Sequence, residues 1–218
     1  MMRTEKRRAA LAETVRGNGI THEGVLEAIA TIPRHEFLRD TALHRRAYED
    51  VALPIDADQT ISQPSTVAYM TALLDPKPDE KILEIGTGSG YQAAVLASLG
   101  ARVFSIERHR VLYDQTRALL ERLGYRVRMR LGDGSHGWSA VAPFDGIIAT
   151  AGAESIPPAL VEQLRQPSGD RPGGRLVIPV GGSERQRIVV VRRTGPGPED
   201  VTRETLAAVQ FVPFVRGR

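Results

Sequence analysis

From residue 81 onward the chain alternates short apolar runs with helical segments, and this pattern limits its fold more than any other feature. The runs cover 81–85, 102–106, 127–131, 146–149, 175–179 and 188–191. Between them, residues 91–99, 110–123 and 157–164 carry apolar positions at helical spacing. Strands separated by crossover helices predict an α/β protein with a doubly wound, mostly parallel sheet covered on both faces. A segment at 206–214 reads as one more strand.

The first 75 residues read differently. A helix over 4–16 stops at Asn18-Gly19. Thr21 is placed to cap a second helix, in which Val25, Leu26, Ile29 and Ile32 recur at helical spacing up to Pro33. An irregular stretch, 48–59, contains Pro54, and a further helix over 64–74 opens on Pro64, a residue suited to a first helical turn. The expected organisation is one domain over 1–218, with a helical and substrate-loop region at 1–75 and a ligand-binding α/β core at 76–218.

Composition narrows the chemistry. The absence of cysteine excludes disulfides, thiolate metal sites and cysteine nucleophiles. No apolar run approaches the length of a membrane span, and the basic start of the chain leads into Glu13 and Arg16 rather than an apolar stretch. A soluble, cytoplasmic protein with no membrane partner is expected. The net charge of +3 is too small to make nucleic acid the default partner. The five histidines lack the i, i+4 spacing of a metal site, and no metal is expected.

Leu83-Glu84-Ile85-Gly86-Thr87-Gly88-Ser89-Gly90 ends the first core strand and opens a helix. Glycines here let backbone approach a ligand, and the helix start offers free N–H groups. Tyr91 stands where the dinucleotide fingerprint requires its third glycine. The spacing Glu-x-Gly-x-Gly-x-Gly instead resembles the first motif of Rossmann-like S-adenosylmethionine-dependent methyltransferases. That resemblance implies a seven-stranded sheet and a cofactor loop of Glu84, Gly86, Thr87, Gly88, Ser89 and Gly90. Glu107 ends the next strand about 20 positions past Gly86, where a carboxylate accepts from ribose hydroxyls. Arg108 beside it joins the candidate cofactor set. The alternative for Glu107 is an ordinary acid at a helix start. The resemblance sets Asp133 and Gly134, at the end of the third strand, beside the adenine; the alternative is a plain Asp-Gly turn.

The segment before the glycine turn narrows the reading further. Val51-Ala52-Leu53-Pro54-Ile55, Gln59-Thr60-Ile61-Ser62-Gln63-Pro64, Val67-Ala68 and Met70 lie there. Together with Ile32-Pro33-Arg34, residues 83–92, 144–151 and 173–181, and Phe211-Val212-Pro213, they make nearly the whole chain similar to the protein-L-isoaspartate O-methyltransferase family. The resemblance implies methyl transfer from S-adenosylmethionine to the free carboxylate of L-isoaspartyl and D-aspartyl residues in damaged proteins and peptides. The methyl ester then cyclises to a succinimide, whose hydrolysis returns some normal aspartate. Ser62 matches the family's active-site serine, with Thr60, Ile61 and Gln63 in the same substrate loop. The alternative for Ser62 is an N-cap of the helix at Pro64.

The residue types suit this chemistry. A carboxylate with a pKa of about 4 is already ionised at neutral pH, so no strong base is needed. Spacing supplies no obvious His-Asp or Ser-His pair. Three departures from the family pattern stand out: Asp56-Ala57-Asp58 where glycines are usual, Ser65 where a bulky residue is usual, and an inserted Ser168-Gly169-Asp170. A methyltransferase of RNA or a small molecule would share the glycine motif but not Thr60-Ile61-Ser62-Gln63-Pro64. A cofactor-binding module without catalysis is a third reading. Arg126, Arg128 and Arg130 alternate on one strand face and read as the charged cover of an edge strand. Trp138 and Phe144 read as packing. A monomer is the default expectation.

Overall fold

In the computed structural model, which describes residues 2–182, 185–209 and 211–212, helix α1 (Met2–Gly17) buries Leu11, Ala12 and Val15. It ends as expected at Gly19, whose φ is +92°. Helix α2 (Glu23–Thr31) buries Val25, Leu26, Ala28 and Ile29. Its cap is His22 rather than Thr21: the His22 Nδ1 accepts the Val25 N–H at 3.3 Å, while Nε2 faces Asp75 Oδ1 at 3.2 Å. The helix begins two residues after Thr21, which puts His22 in the capping position.

Two short 3-10 turns, Arg34–Phe37 and Thr41–Arg45, lead to a hairpin of β1 (Leu53–Pro54) and β2 (Thr60–Ile61). Helix α3 (Pro64–Leu74) follows, with the predicted bounds. At the hairpin tip Ala57 and Asp58 have φ of +58° and +54°. These are the left-handed values of a mirror-image hairpin turn, which favours glycine and asparagine.

The core alternation then forms β3 (Lys81–Ile85), α4 (Tyr91–Ser98), β4 (Arg102–Glu107), α5 (Arg110–Arg122), β5 (Val127–Leu131), β6 (Gly146–Ala149), α6 (Pro158–Glu162), β7 (Arg175–Gly181), β8 (Gln186–Arg193) and β9 (Val201–Val209). The seven strands among these form one sheet, in the order β5-β4-β3-β6-β7-β8-β9. Strands β3 to β7 pair in parallel, while β8 and β9 run antiparallel to their neighbours. The apolar run at 188–191 therefore belongs to a hairpin and not to the parallel set. The link from β7 to β8 is far too short for a crossover. The strand expected at 206–214 starts earlier, at Val201, and of that stretch Gln210 and residues 213–214 lie outside the described residues.

Successive strand residues face opposite layers. Ile82, Val103, Ile148 and Val177 pack with α1 to α4, whereas Leu83, Phe104, Ile147 and Leu176 pack with α6. The edge position of β5 accounts for its arginines: Arg128 lies 5.6 Å above the Phe104 ring, and Arg130 lies 4.9 Å above Trp138. Trp138 and Phe144 both pack against Phe104. The inserted Ser168-Gly169-Asp170 is an exposed turn closed by paired backbone bonds between Ser168 and Arg171. Among the described residues, no helix is long and apolar enough to cross a membrane.

The left-handed Ala57 yields a stability prediction. A side chain there costs about 1–2 kcal/mol, against about 0.5–1 kcal/mol of unfolded-chain entropy that glycine would add. Ala57→Gly is expected to raise Tm by about 1–3 °C by calorimetry. An unchanged or lower Tm would show that the turn carries no strain at this residue.

Candidate functional site

The connections from β3 to β4 and from β6 to β7 leave the sheet in opposite directions, so a crevice opens between β3 and β6 at their carboxyl ends. The glycine turn sits there. Gly86 has a φ of +91°, and a Cβ on it would meet Thr150 Oγ1 at 2.6 Å. The Thr150 hydroxyl donates to the Gly86 carbonyl at 2.5 Å, joining the two halves of the sheet at the switch point. Gly90 has another task. A Cβ there would lie 2.7 Å from Thr116 Cγ2, so this glycine lets α4 pack on α5 and does not line the crevice.

Glu84 lies beneath the turn and is fully buried. The Ser105 hydroxyl donates to it, and Thr87 Oγ1 lies 2.6 Å from that same hydroxyl. Glu84 thus supports Thr87 from below and does not face the crevice. Burial pushes its pKa up to about 8; the Ser105 bond opposes the rise and the neighbouring Glu107 adds to it.

The larger of two adjoining hollows, about 680 Å³, is walled by Ile85, Ile106, Leu112, Gly132, Gly134 and Glu107, with Arg108 and His109 at one side. Three backbone N–H groups fix the Glu107 carboxylate: Gly88 donates to Oε2, and Arg108 and His109 donate to Oε1, each at 2.8 Å. A carboxylate has about four acceptor sites, so about one remains for a ribose hydroxyl. Asp133 turns Oδ1 to the Ser135 N–H at 2.8 Å and caps the Gly134–His136 turn; its neighbours Gly132 and Gly134, not Asp133, form the wall.

The smaller hollow, about 440 Å³, brings Thr60, Ile61 and Ser62 against Gly86, Thr87, Gly88 and Ser89, with Val67, Met70, Gln92 and Phe211 completing it. Arg34 holds Ser62 itself, and Asp50 holds the residues that follow it. Arg34, fully buried, donates to the carbonyls of Ala47 at 2.7 Å, Val51 at 3.0 Å and Ser62 at 3.0 Å. Asp50 accepts the Ser65 N–H at 2.8 Å, the Ser65 hydroxyl at 2.7 Å, and the amides of Gln63 and Asn18 at 3.0 Å each. Asp50 therefore serves the first turn of α3, and Ser62 is not its cap. The Ser62 hydroxyl makes no hydrogen bond among the described residues. Gln63, expected to touch substrate, points its amide at Asp50 instead.

Arg34, Asp50, Thr150 and Gln92 are not singled out by motif spacing, although Arg34, Gln92 and Thr150 fall in segments that carry the family resemblance. Asp50 gave no signal beyond its place in an irregular stretch.

A family model described as protein-L-isoaspartate(D-aspartate) O-methyltransferase (PCMT) matches residues 6–218. A relative from Salinibacter ruber, a protein-L-isoaspartate O-methyltransferase, is 58% identical over 210 residues, covering 95% of this chain and 91% of its own. One of the same name from Pseudomonas aeruginosa is 49% identical over 218 residues and 99% of both chains. A solved protein-L-isoaspartate O-methyltransferase superposes with a TM-score of 0.84 at 28% identity, covering 96% of this chain, which spans 66% of that longer one. The Plasmodium falciparum beta-aspartate methyltransferase (PCMT), in complex with S-adenosyl-L-homocysteine, gives a TM-score of 0.79 at 21% identity over 96% of this chain and 99% of its own, a likeness of fold.

The raised Glu84 pKa makes stability depend on pH. The unfolded acid loses its proton near its ordinary 4.5, whereas the folded one keeps it to about 8. The contribution is complete below the lower value and disappears as pH rises through the upper one. Urea titrations at pH 5 and 8 should show a fall in unfolding free energy that Glu84→Gln flattens. Parallel pH curves for the two proteins would remove this assignment.

Proposed function

The chain belongs to the protein-L-isoaspartate(D-aspartate) O-methyltransferase family, and from that premise we propose how its crevice carries out the reaction. The protein uses S-adenosylmethionine to methylate the free carboxylate of isoaspartyl, and D-aspartyl, residues in damaged proteins. The observation that carries the site assignment is that one hollow is lined both by Ser62 and by the glycine turn Gly86–Ser89.

The residues suit the cofactor. The larger hollow offers an apolar slot between Ile85, Ile106 and Leu112 for a base, and a fixed carboxylate, Glu107, for ribose hydroxyls. Gly86, Thr87, Gly88 and Ser89 would hold the methionine part, with Gly134 and Arg108 at the nucleoside end. Glu84, Gly90 and Asp133 shape this site from outside its lining. When bound, S-adenosylmethionine supplies an electrophilic methyl group on a cationic sulfur.

The remaining chemistry belongs to the chain. No His, Asp or Glu is among the described residues of the smaller hollow. None is required, because the substrate carboxylate is ionised at neutral pH and needs alignment rather than deprotonation. Ser62 is a catalytic residue that donates to one carboxylate oxygen and turns the other toward the methyl group. Arg34 holds the Ser62 carbonyl and Asp50 holds Gln63 and Ser65 just after it, so the loop pays little conformational entropy on engaging substrate. Thr60 and Ile61 flank the substrate, while Gln63 fixes the loop through Asp50. The repair step ends at the ester, which cyclises without help.

We further propose that residues 1–75 and 76–218 act as one domain, and that the protein works as a cytoplasmic monomer without nucleic-acid partners. A core cluster that runs from Leu11 in α1 to Val190 in β8 supports the first. The packing of Arg128 and Arg130 on aromatic rings supports the last.

Incubation with radiolabelled S-adenosylmethionine should place base-labile label on an isoaspartyl peptide and not on its normal-aspartyl twin. Label on RNA alone would overturn the reading. Ser62→Ala should lower kcat about 10–100-fold, the loss of one charge-assisted hydrogen bond, with S-adenosylhomocysteine affinity held within about twofold. Equal loss of cofactor binding would make Ser62 a pocket-shaping residue. Glu107→Ala should weaken cofactor binding about 10–100-fold; unchanged affinity would exclude the ribose assignment.

A further inference from the structure

Gln186 opens β8, and because β8 runs against the parallel strands, its first residue stands at their carboxyl ends, beside the crevice. Its partner across the ladder is Val209, the last residue of β9. The antiparallel pair β8–β9 thus delivers two things to the crevice mouth: the Gln186 side chain and the chain segment that follows β9.

The two meet. The Gln186 side chain is buried, with 1% of the residue exposed, and both ends of its amide bind the backbone of one residue. The Phe211 N–H donates to Gln186 Oε1 at 2.8 Å, and Gln186 Nε2 donates to the Phe211 carbonyl at 3.2 Å. A side-chain amide here stands in for a strand partner, extending the ladder past Val209. A third bond, from the Gly152 N–H to the Val212 carbonyl at 2.9 Å, holds the next residue. Gly152 also makes room for the amide, since a Cβ on it would come within 2.2 Å of Gln186 Nε2.

The held segment borders the site. Phe211 lines the smaller hollow and Val212 the larger, so one short strap touches both. A buried glutamine has to find hydrogen-bond partners somewhere. That requirement alone does not direct both bonds to one backbone residue that lines the crevice.

We propose that Gln186 is a positioning residue that latches the 211–212 strap against the crevice and thereby sets how long the nucleoside cofactor stays bound. The proposal rests on the crevice being the S-adenosylmethionine site. Gln186 acts through the strap, and the latch slows departure without adding contacts of its own. Its loss therefore acts on the dissociation rate and leaves the bond-making step alone.

The test uses Gln186→Met, which keeps the bulk of the side chain and removes both hydrogen bonds. S-adenosylhomocysteine binding is measured by calorimetry, and its release by stopped-flow displacement, on full-length protein. The variant should raise Kd about tenfold, the effect of losing two neutral hydrogen bonds, with the release rate rising in proportion. The association rate and kcat at saturating cofactor should stay within about twofold. Gly152→Ala, which crowds the same amide from the other side, should shift release in the same direction. If Gln186→Met does not fold, Gln186→Glu, which keeps the acceptor and loses the donor, takes its place. Wild-type protein that fails to bind S-adenosylhomocysteine would overturn the cofactor reading and the latch with it. Wild-type binding matched by an unchanged release rate in the variant would overturn the latch alone, and a fall in Tm without faster release would leave Gln186 a structural residue.

Discussion

The site depends on one buried guanidinium. Arg34 is removed from water, which disfavours its charge and pulls its pKa down, and it answers that cost with three backbone carbonyls from Ala47, Val51 and Ser62. Few side chains could do this. The planar fork of arginine reaches several carbonyls at once, whereas a lysine ammonium would sit as a point charge near one of them. Arg34 also lies 5.6 Å over the ring of Tyr91, the first residue of α4. The serine loop and the glycine turn are therefore joined through Arg34 and Tyr91. The residue whose bulk is incompatible with a dinucleotide fingerprint is the platform on which the loop carrying Ser62 is mounted.

Two acids divide the support of the glycine turn. Glu107 faces the crevice and is oriented by three N–H donors, one of them from Gly88 in the turn itself. Glu84 lies under the turn with a hydroxyl chain, Ser105 and Thr87, between it and the hollow. Hydrogen bonding to backbone N–H groups suits a recognition role at the crevice wall, because the donors cannot swing away. A buried acid with a hydroxyl partner suits a structural role, since it can keep its proton.

How far the sequence was legible follows from what each signal encodes. Apolar periodicity encodes which residues are buried and in what element, so β3, β5, β6 and α3 were found with their observed bounds. It does not encode strand direction, and the run within β8 looked like its parallel neighbours. Motif spacing located Gly86, Gly88 and Glu107 in the crevice. Gly90, whose freedom from a Cβ serves Thr116, and Glu84 and Asp133 stand outside the lining of the two hollows, with the Glu84 carboxyl bonded to Ser105 and the Asp133 carboxyl to the Ser135 N–H. Gln63, which the family resemblance puts in the same substrate loop as Ser62, turns its amide to Asp50, a residue from the preceding loop. Asp50 and Gln186 were invisible because their partners lie far along the chain and only folding brings them together.

Asp50 also takes the capping work that the sequence offered to Ser62. A serine just before a helix is normally taken up as its cap, and two readings of Ser62 were open on sequence grounds. The free N–H of Ser65 in the first turn of α3 is met by Asp50 Oδ1, while Oδ2 gathers the Ser65 hydroxyl and the amides of Gln63 and Asn18. Ser65 is small and polar where the family usually carries a bulky residue, and it is this hydroxyl, also 2.9 Å from the Asn18 amide, that ties the end of α1 to the start of α3. A carboxylate from the preceding loop does the capping, and among the described residues the Ser62 hydroxyl makes no hydrogen bond. Its carbonyl is held by Arg34 while its hydroxyl is unbonded among those residues, which is the condition a hydrogen-bond donor must meet to orient a carboxylate without first breaking a bond of its own.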